Sequence, residues 1–321
     1  MKVLIAGGGG YVGTRLCNEM ATEGHQVTAV DLFWFGNYLN SNVRMIHKDL
    51  MDLTREEIAG HDAVVFLAGL SNDPMANFSP KRNFIENAAA PSFLAFISKE
   101  VGVPRYVYAS SCSVYGFTDN KIMSEDSPVN PQYPYGISKL QAEYSLMNLQ
   151  DESFRPISMR KGTVGGWSPR MRFDLVVNTM TKFALTQGKI VVHNPNLWRP
   201  LIDIRDVTEA YKKAITCDHG IAGVFNICGE NYTIGKLAED VEKELSENGI
   251  NIEVEIQNRP DVRNYLASNE KAKELLNFQP RYNPRESIRE ILREVKKRNI
   301  DLNDKRFYNI QTFMELEDGN G

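Results

Sequence analysis

The chain has 321 residues, of which 42% are apolar and 24% charged, the composition of a globular protein long enough for two domains. A net charge of −4 and the lack of a Lys/Arg-rich block argue against nucleic acid as a partner. No apolar run approaches the roughly 18 residues that cross a membrane, and the first predicted strand begins at residue 2, so we expect neither a membrane span nor a signal peptide.

The cysteines and histidines predict neither disulfides nor a metal centre. The four cysteines, at positions 17, 112, 217 and 228, form no Cys-x-x-Cys pair, and the five histidines show no ligand spacing. Reduced thiols of this kind are typical of cytoplasmic proteins, and we expect a cytoplasmic location here.

The first 13 residues, MKVLIAGGGGYVG, join an apolar run to glycines at positions 7, 10 and 13. This pattern predicts a buried strand, a tight turn and a helix over residues 14–23. In such a turn Gly7 permits the bend, Gly10 the close approach of a ligand, and Gly13 the tight packing of helix on sheet. Backbone N–H groups and the positive end of the helix dipole then form a site for a pyrophosphate.

A carboxylate follows the next predicted strand. Residues 26–30 have the pattern of that strand, and Asp31 comes 18 residues after Gly13. A carboxylate at this spacing accepts hydrogen bonds from the ribose hydroxyls of an adenosine and repels a 2′-phosphate. A glycine-rich turn alone could bind nothing, but together with Asp31 it favours a dinucleotide site, and NAD over NADP.

Strand and helix patterns alternate through the first half of the chain. The predicted strands cover residues 43–47, 63–68 and 106–110, and the predicted helices cover residues 82–100 and 133–150. This alternation predicts an α/β fold with a doubly wound parallel Rossmann sheet. Ligands of such sheets bind beyond the carboxyl ends of the strands.

The second half changes character near residue 168, where prolines and turn residues become frequent. We expect an NAD-binding Rossmann domain over residues 1–168 and a smaller C-terminal α/β substrate domain over residues 169–321, with residues 200–228 returning to the first sheet. The patterns predict a helix over residues 206–216 with Asp206 as N-cap, a strand over 224–228, helices beginning at Thr233 and covering 284–298, and a frayed end from Glu315.

Tyr135 and Lys139 stand four residues apart on a predicted helix and therefore share one face. A phenol with a pKa near 10 is a poor base at neutral pH. A cation one turn away favours the phenolate, so we expect Lys139 and the positive nicotinamide ring to lower the pKa of Tyr135. An ordinary amphipathic helix is the alternative, but the position about 100 residues after the glycine loop favours catalysis.

Together with residues 67–69 and the hydroxyls that follow residue 110, these features resemble the extended short-chain dehydrogenase/reductase superfamily, and within it the NAD-dependent nucleotide-sugar epimerases and dehydratases. The resemblance covers nearly the whole chain. It implies that Ser111, Tyr135 and Lys139 are the catalytic hydroxyl, base and lysine. It also implies an NAD site formed by Gly7, Gly10, Tyr11, Val12, Gly13, Asp31, Asp49, Leu50, Leu67, Ala68, Gly69, Asn87, Tyr135 and Lys139.

The same resemblance implies a nucleotide-diphosphate sugar as substrate and a homodimer built from the helices predicted over residues 82–100 and 133–150. Arginine offers forked donors that suit a diphosphate, although each arginine alone could be a surface or ion-pair residue. The implied substrate residues are Ser71, Asn72, Cys112, Ser113, Asn178, Arg199, Arg259 and Asp261.

Several positions depart from the family pattern. Cys112 and Ser113 stand where dehydratases carry an acidic pair, so 4,6-dehydration is disfavoured. Asp203 stands where a histidine is usual. Pro91, inside a predicted helix, deprives the Asn87 carbonyl of its helical donor. We hypothesise that this carbonyl holds a water that relays protons to Lys139; the alternative is a tolerated kink.

These residues predict an NAD-dependent nucleotide-sugar epimerase. Tyr135 takes the proton of the sugar C4 hydroxyl while hydride passes to NAD, and the hydride later returns to the other face of the 4-keto sugar. The alternative is a C4 dehydrogenase or 4-ketoreductase that stops after one half-reaction and shows a net redox change. A catalytically idle NAD-binding protein is a third reading, against which the complete Ser-Tyr-Lys set argues.

Overall fold

The structure, a computed structural model, describes residues 1–257 and 264–318. Its strands are, in chain order, β1 (Lys2–Ala6), β2 (Gln26–Asp31), β3 (Arg44–His47), β4 (Ala63–Phe66), β5 (Arg105–Ser111), β6 (Ile122–Met123), β7 (Arg155–Lys161), β8 (Thr163–Gly165), β9 (Lys189–His193), β10 (Trp198–Asp203), β11 (Gly223–Ile227), β12 (Asn231–Thr233), β13 (Glu253–Gln257) and β14 (Leu266–Ala267).

The helices of the described residues are α1 (Tyr11–Thr22), α2 (Arg55–Ile58), α3 (Asp73–Phe78), α4 (Pro80–Phe84), α5 (Ala90–Glu100), α6 (Pro134–Leu149), α7 (Val176–Gln187), α8 (Ile204–Thr216), α9 (Ile234–Glu247), α10 (Glu270–Leu276), α11 (Pro284–Arg298) and α12 (Asn309–Asp318). None of these helices has the length and apolar character that a membrane crossing requires.

The central sheet of the described chain has seven strands in the order β3-β2-β1-β4-β5-β7-β11, and each neighbouring pair is parallel. The predicted doubly wound α/β fold is therefore confirmed. The chain runs outward from β1 towards β3 and then crosses to β4 on the other side of β1. A crevice opens at this change of direction, beyond the carboxyl ends of the strands.

β1 shows why both faces of the sheet are buried. Val3 and Ile5 belong to the core that contains α1 and α8, while Leu4 and Ala6 belong to the core that contains α5 and α6. A strand covered by helices on both faces has a continuous apolar sequence because its side chains alternate between two apolar layers.

A second unit lies beside the central sheet. α7, α9 and α11 pack with β9 into an apolar core of their own, and β9 pairs with β13. β10 pairs with β8 and β12 in a small sheet. β11, which lies within residues 200–228, pairs with β7 and so brings the chain back to the central sheet. The boundary at residue 168 stays a prediction.

α8 begins earlier than the sequence predicts and has a different cap. The Asp203 carboxylate accepts the N–H of Arg205 at 2.8 Å, which makes Asp203 the N-cap. Asp206 is buried in the first turn, where its carboxylate accepts the N–H groups of Arg281 and Tyr282 at 3.0 Å. The predicted cap at Asp206 is wrong because that carboxylate instead fixes the segment that precedes α11.

The helix predicted over residues 82–100 is interrupted. A turn of π-helix, Ile85–Ala89, joins α4 to α5, and Pro91 lies in the first turn of α5. The Asn87 carbonyl, which Pro91 leaves without a helical donor, accepts the Tyr108 hydroxyl at 2.9 Å. The Tyr108 hydroxyl thus occupies one of the two lone pairs of this carbonyl, and the hypothesis of a proton-relaying water there stays a prediction.

The C-terminal segment is more ordered than the sequence predicts. α12 continues from Asn309 through Glu315 to Asp318, where a frayed end is expected from composition. Phe307 and Phe313 are buried, and Phe313 packs edge-on against Trp34 with 5.1 Å between the ring centroids. The segment thus returns to the residues that follow β2.

Candidate active site

A cavity of about 1050 Å³ lies beyond the carboxyl ends of the central strands. This volume lies at the upper end of the roughly 300–1,000 Å³ that is typical of pockets for one small ligand. We distinguish two walls within its lining. The first wall is formed by residues from segments 7–13, 31–35, 48–51 and 66–69. The second wall is formed by Ser111, Ser113, Tyr135, Tyr265 and residues from segments 161–164, 170–175 and 189–199.

The glycine loop forms the base of the first wall. Gly7 has φ +85° and its N–H donates to the Val30 carbonyl at 2.8 Å. A Cβ on Gly7 would lie 2.5 Å from the backbone nitrogen of Ala68, and one on Gly13 would lie 2.1 Å from the Gly7 oxygen. α1 begins directly after Gly10, which has no side chain to cap it. The loop can thus bring backbone N–H groups close to an anion.

Tyr11 and Val12, in the first turn of α1, also line the cavity. The Tyr11 hydroxyl donates to the Gly166 carbonyl at 2.6 Å and so ties the loop to the chain after β8. Burial raises the pKa of Tyr11 above its ordinary value, which keeps this hydroxyl a donor.

Asp31 ends β2 and lines the cavity, as its spacing predicts. Its carboxylate accepts the N–H of Gly9 at 2.9 Å and the N–H of Phe33 at 2.8 Å. Burial raises the pKa of Asp31 above its usual range, and these two bonds oppose that rise. The geometry fixes the carboxylate at the rim of the glycine loop.

The remaining predicted residues of the first wall divide into two groups. Asp49, Leu50, Leu67, Ala68 and Gly69 line the cavity. Asn87 does not: its side chain is buried and donates to the Leu70 carbonyl at 2.7 Å. A Cβ on Gly69 would lie 2.2 Å from the Asn87 oxygen, so Asn87 supports this segment from behind. The prediction of direct cofactor contact by the Asn87 side chain is wrong for this reason.

The predicted catalytic hydroxyls meet in the second wall. Ser111 ends β5, and its hydroxyl donates to the Ser113 hydroxyl at 3.1 Å. The nearby Ser111 hydroxyl lowers the pKa of Tyr135, against the larger effect of burial. All three side chains line the cavity. Burial raises the pKa of Tyr135 well above its ordinary value, and the charge of the Asp73 carboxylate adds to this rise.

Lys139 is buried one turn along α6 from Tyr135. Its ammonium lies 5.6 Å from the centroid of the Tyr135 ring and 5.0 Å from that of the Tyr108 ring. Burial lowers the pKa of Lys139 well below its ordinary value, and the charge of Lys161 lowers it further. The expected fall in the pKa of Tyr135 is not found, because burial outweighs the neighbouring cations.

Lys161 is a cavity residue that sequence reasoning missed. It ends β7 in register with Ser111, and its ammonium donates to the Tyr211 hydroxyl at 3.1 Å. Burial and the charge of Arg172 lower the pKa of Lys161 to about 7. The signal was the strand–helix alternation itself, which requires a strand between α6 and α7 and directs attention to its carboxyl end.

Arg172 and Asp174, also missed, form a mostly buried ion pair in the second wall with Nη2 and Oδ2 2.6 Å apart. The Asp174 carboxylate also accepts the Asn72 amide at 3.3 Å. The positive charge of Arg172 lowers the pKa of Tyr135, against the dominant effect of burial. Arg172 is thus the cation that acts on the phenol most strongly.

The predicted substrate residues are distributed unevenly. Ser71, Asn72, Ser113 and Arg199 line the cavity. Asn178 and Cys112 are fully buried, and the prediction that their side chains contact substrate is wrong. The Asn178 amide bonds the Gly166 N–H, the Tyr11 hydroxyl and the Arg172 carbonyl, and the Cys112 sulfur faces the Arg160 carbonyl at 3.3 Å. Arg259 and Asp261 lie outside the described residues.

Within residues 1–257 and 264–318, no cluster of three or more His, Cys, Asp or Glu side chains is arranged to hold a metal ion.

Arg199 enters the second wall from β10, where its guanidinium donates to the Trp198 carbonyl at 2.8 Å and lies 5.4 Å from the centroid of the Tyr265 ring. Arg199 thus adds a positive charge to the wall that already contains Lys161, Arg172 and Asp174.

Residues 3–228 match the model of the family described as the NAD dependent epimerase/dehydratase family. A UDP-glucose 4-epimerase of Corynebacterium glutamicum is 26% identical over 302 residues, covering 88% of this chain and 92% of that protein. MoeE5, solved in complex with UDP-glucuronic acid and NAD, superposes with a TM-score of 0.82 at 25% identity, covering 94% of this chain and all of that one. The fold is also that of a UDP-glucose 4-epimerase from Thermotoga maritima, with a TM-score of 0.83 at 23% identity.

Proposed function

Because this chain belongs to the NAD dependent epimerase/dehydratase family, we propose that it is a nucleotide-sugar 4-epimerase that acts by transient oxidation at C4 of the sugar. The observation that carries the proposal is the shared cavity. Ser111 and Tyr135 line the same space as the glycine loop and Asp31, so a sugar at Tyr135 would lie beside a dinucleotide held by the loop.

The residues of the first wall fit NAD, the cofactor of the family. A Cβ at Gly7 or Gly13 would close the loop, and the N-terminus of α1 offers N–H groups without a side-chain cap. Asp31 offers a carboxylate to ribose hydroxyls, whereas a 2′-phosphate there would meet like charge. When bound, NAD supplies a reversible hydride acceptor.

The chain's own groups handle the proton and position the sugar. Tyr135 takes the proton of the C4 hydroxyl as that carbon is oxidised and gives a proton back when it is reduced. Ser111, which lines the same cavity as Tyr135, donates to the same oxygen and stabilises the developing carbonyl. Lys139, beside the Tyr135 ring, favours the phenolate when it carries charge.

The second wall suits a sugar linked to a nucleoside diphosphate. Arg199 enters it from the second unit, and we propose that Arg259 and Asp261 complete the nucleotide site. Forked guanidinium donors fit phosphate oxygens. The similar proteins named above act on or bind UDP-sugars, which makes UDP-hexoses the first substrates to test.

Two other reactions share this first step. A C4 dehydrogenase or 4-ketoreductase would release oxidised or reduced sugar and so produce a net change in NAD(H). Dehydration would need an acid for the leaving hydroxyl, and Ser113 and Cys112 provide no carboxylate. Asp73, which lines the cavity and acts on Tyr135 through its charge, is the carboxylate that such a reaction would use.

We also propose that the protein forms a homodimer through α5 and α6, which pack together on one face of the central sheet. Phe96 on α5 and Tyr144 and Met147 on α6 are between 45% and 53% exposed. Large apolar side chains left in water on two adjacent helices favour burial against a second copy. A monomer in light scattering at working concentration would remove this part of the proposal.

The deciding experiment is mass spectrometry of the purified protein with UDP-, dTDP-, GDP-, CDP- and ADP-sugars, with bound cofactor quantified. A product of unchanged mass and altered retention supports epimerisation. A loss of two mass units with NADH formed supports the dehydrogenase, and a loss of 18 supports dehydration. The matched control is Tyr135→Phe, which should form whichever product the native enzyme makes about 10²- to 10⁴-fold more slowly.

A further inference from the structure

Arg170 is a buried cation of the second wall that lies against Phe35 of the first wall, and the sequence assigns it no role. Its side chain is 1% exposed, yet it lines the cavity. The guanidinium lies 3.8 Å from the centroid of the Phe35 ring and donates to the Asn309 side-chain oxygen. Its Nη1 donates to the Met171 carbonyl at 3.4 Å, and within residues 1–257 and 264–318 its Nε has no hydrogen-bond partner. A buried donor left unbonded is costly, so such a group calls for a ligand or water.

The carboxylates nearest to Arg170 are engaged elsewhere. In the described chain Asp174 pairs with Arg172 at 2.6 Å, and Asp31 accepts two backbone N–H groups at 2.9 and 2.8 Å. Burial and the charge of Arg172 lower the pKa of Arg170 to about 9, which still leaves it charged at neutral pH. The protein thus holds a positive charge at the cavity without a bonded counter-ion.

The C-terminal segment holds this cation in place. We call residues 305–316 the C-terminal strap. Asn309 of the strap accepts from Arg170 and donates to the Ser71 hydroxyl at 3.2 Å. Phe313 packs on Trp34, and the Arg82 guanidinium lies 4.7 Å from the Trp34 ring and 5.2 Å from the Phe313 ring.

The strap lies outside residues 3–228, the part of the chain that matches the family. Asn309 and Phe313 nevertheless line the cavity. The strap therefore contributes to the wall of the cavity.

We propose that Arg170, held by Asn309, binds the diphosphate of NAD, so that the C-terminal strap completes the cofactor site. The chemistry of the donor indicates the class of ligand, because a planar guanidinium whose donors are only partly bonded within the described residues suits phosphate oxygens. The cavity also admits the diphosphate of a sugar nucleotide. The surroundings favour the cofactor. Arg170 lies against the Phe35 ring and feels the charge of Asp31, and both residues belong to the chain at the end of β2, where we expect the cofactor to bind. The inference depends on the cofactor and holds whichever sugar reaction the enzyme performs.

The test measures cofactor retention in the purified holoenzyme and needs no turnover. Bound NAD is quantified after gel filtration, and the dissociation rate of NADH is followed by its fluorescence during a chase with excess NAD. Affinity for UDP is measured in parallel. The variants are Arg170→Met, which removes the donors, and Asn309→Ala, which removes their support. Met314→Ala, an exposed position on the same strap, is the matched control.

Both test variants should release NADH about tenfold faster, which corresponds to about 1.4 kcal/mol, with UDP affinity unchanged. Met314→Ala should behave like the native protein. Unchanged NADH release in folded Arg170→Met would overturn the proposal, and so would weaker UDP binding with normal NADH release, which would assign Arg170 to the sugar nucleotide. If Arg170→Met does not fold, Asn309→Ala decides by the same two measurements. Failure of the sugar panel would leave this result intact, so the two proposals fail separately.

Discussion

The two walls of the cavity depend on different parts of the polypeptide, backbone in one and charged side chains in the other. The first wall depends on backbone: glycines at 7 and 13 leave space that a single Cβ would fill, and Asp31 is held by N–H groups. The second wall depends on charged side chains, with Lys161, Arg172 and Asp174 brought together from segments around the sheet. Changes in the first wall should therefore act through steric fit, and changes in the second wall through charge and proton affinity.

The variant Tyr135→Phe should separate the function of the second wall from that of the first most clearly. The variant removes the proposed base without changing shape, so we expect turnover to fall about 10²- to 10⁴-fold while bound NAD and the melting temperature stay unchanged. Initial rates, cofactor stoichiometry and thermal denaturation check these three statements. Tyr144→Phe, on the exposed side of the same helix, is the control. Residual turnover within tenfold of the native rate would show that Tyr135 is not the base.

Gly13→Ala tests the first wall. The added Cβ would lie 2.1 Å from the Gly7 oxygen, so loop and helix must move apart. We expect the free energy of unfolding to fall by about 1–3 kcal/mol, as for other overpacked sites, together with loss of bound NAD. Urea denaturation and cofactor stoichiometry measure both effects. The control is Gly220→Ala, whose Cβ would meet only the Asp218 side chain. A stable, NAD-loaded Gly13→Ala protein would contradict the steric account.

Arg172 offers a smaller, pH-dependent test of the second wall. Its charge lowers the pKa of Tyr135, so its removal raises that pKa and shifts the rising limb of kcat/KM to higher pH. The double variant Arg172→Met/Asp174→Asn removes both charges and leaves no unpaired buried carboxylate. We expect roughly a tenfold fall in kcat/KM at pH 7 that is recovered at alkaline pH.

The control for this pH profile is Arg55→Met/Glu100→Gln, which removes an exposed ion pair with its charges 3.7 Å apart. It should leave the profile unchanged. If the rising limb of kcat/KM stays at the same pH in the Arg172→Met/Asp174→Asn variant, the charge of Arg172 does not affect the pKa of Tyr135.

The difference between the two walls also explains which site residues the sequence could predict. The glycine loop, Asp31 and the Tyr135–Lys139 spacing are local patterns, and the structure places each beside the cavity or in contact with it. Lys161 and Arg172 carry no local signature, because their role arises from burial and from neighbours distant in sequence. The start of α8 shows where prediction from sequence fails. Asp203 and Asp206 could each cap this helix, and only the contacts of Asp206 with Arg281 and Tyr282 decide between them.

The order of strands in the central sheet leaves β7 without its outer partner during part of protein synthesis. β7 is complete at residue 161, but its outer partner β11 spans residues 223–227. While the ribosome makes the intervening part, one side of β7 carries unpaired backbone groups, which are a template for association with other chains. A polypeptide that stops before residue 223 would retain this open edge permanently. Premature termination in the second unit should therefore yield aggregates, even though every glycine and hydroxyl of the first half has been made.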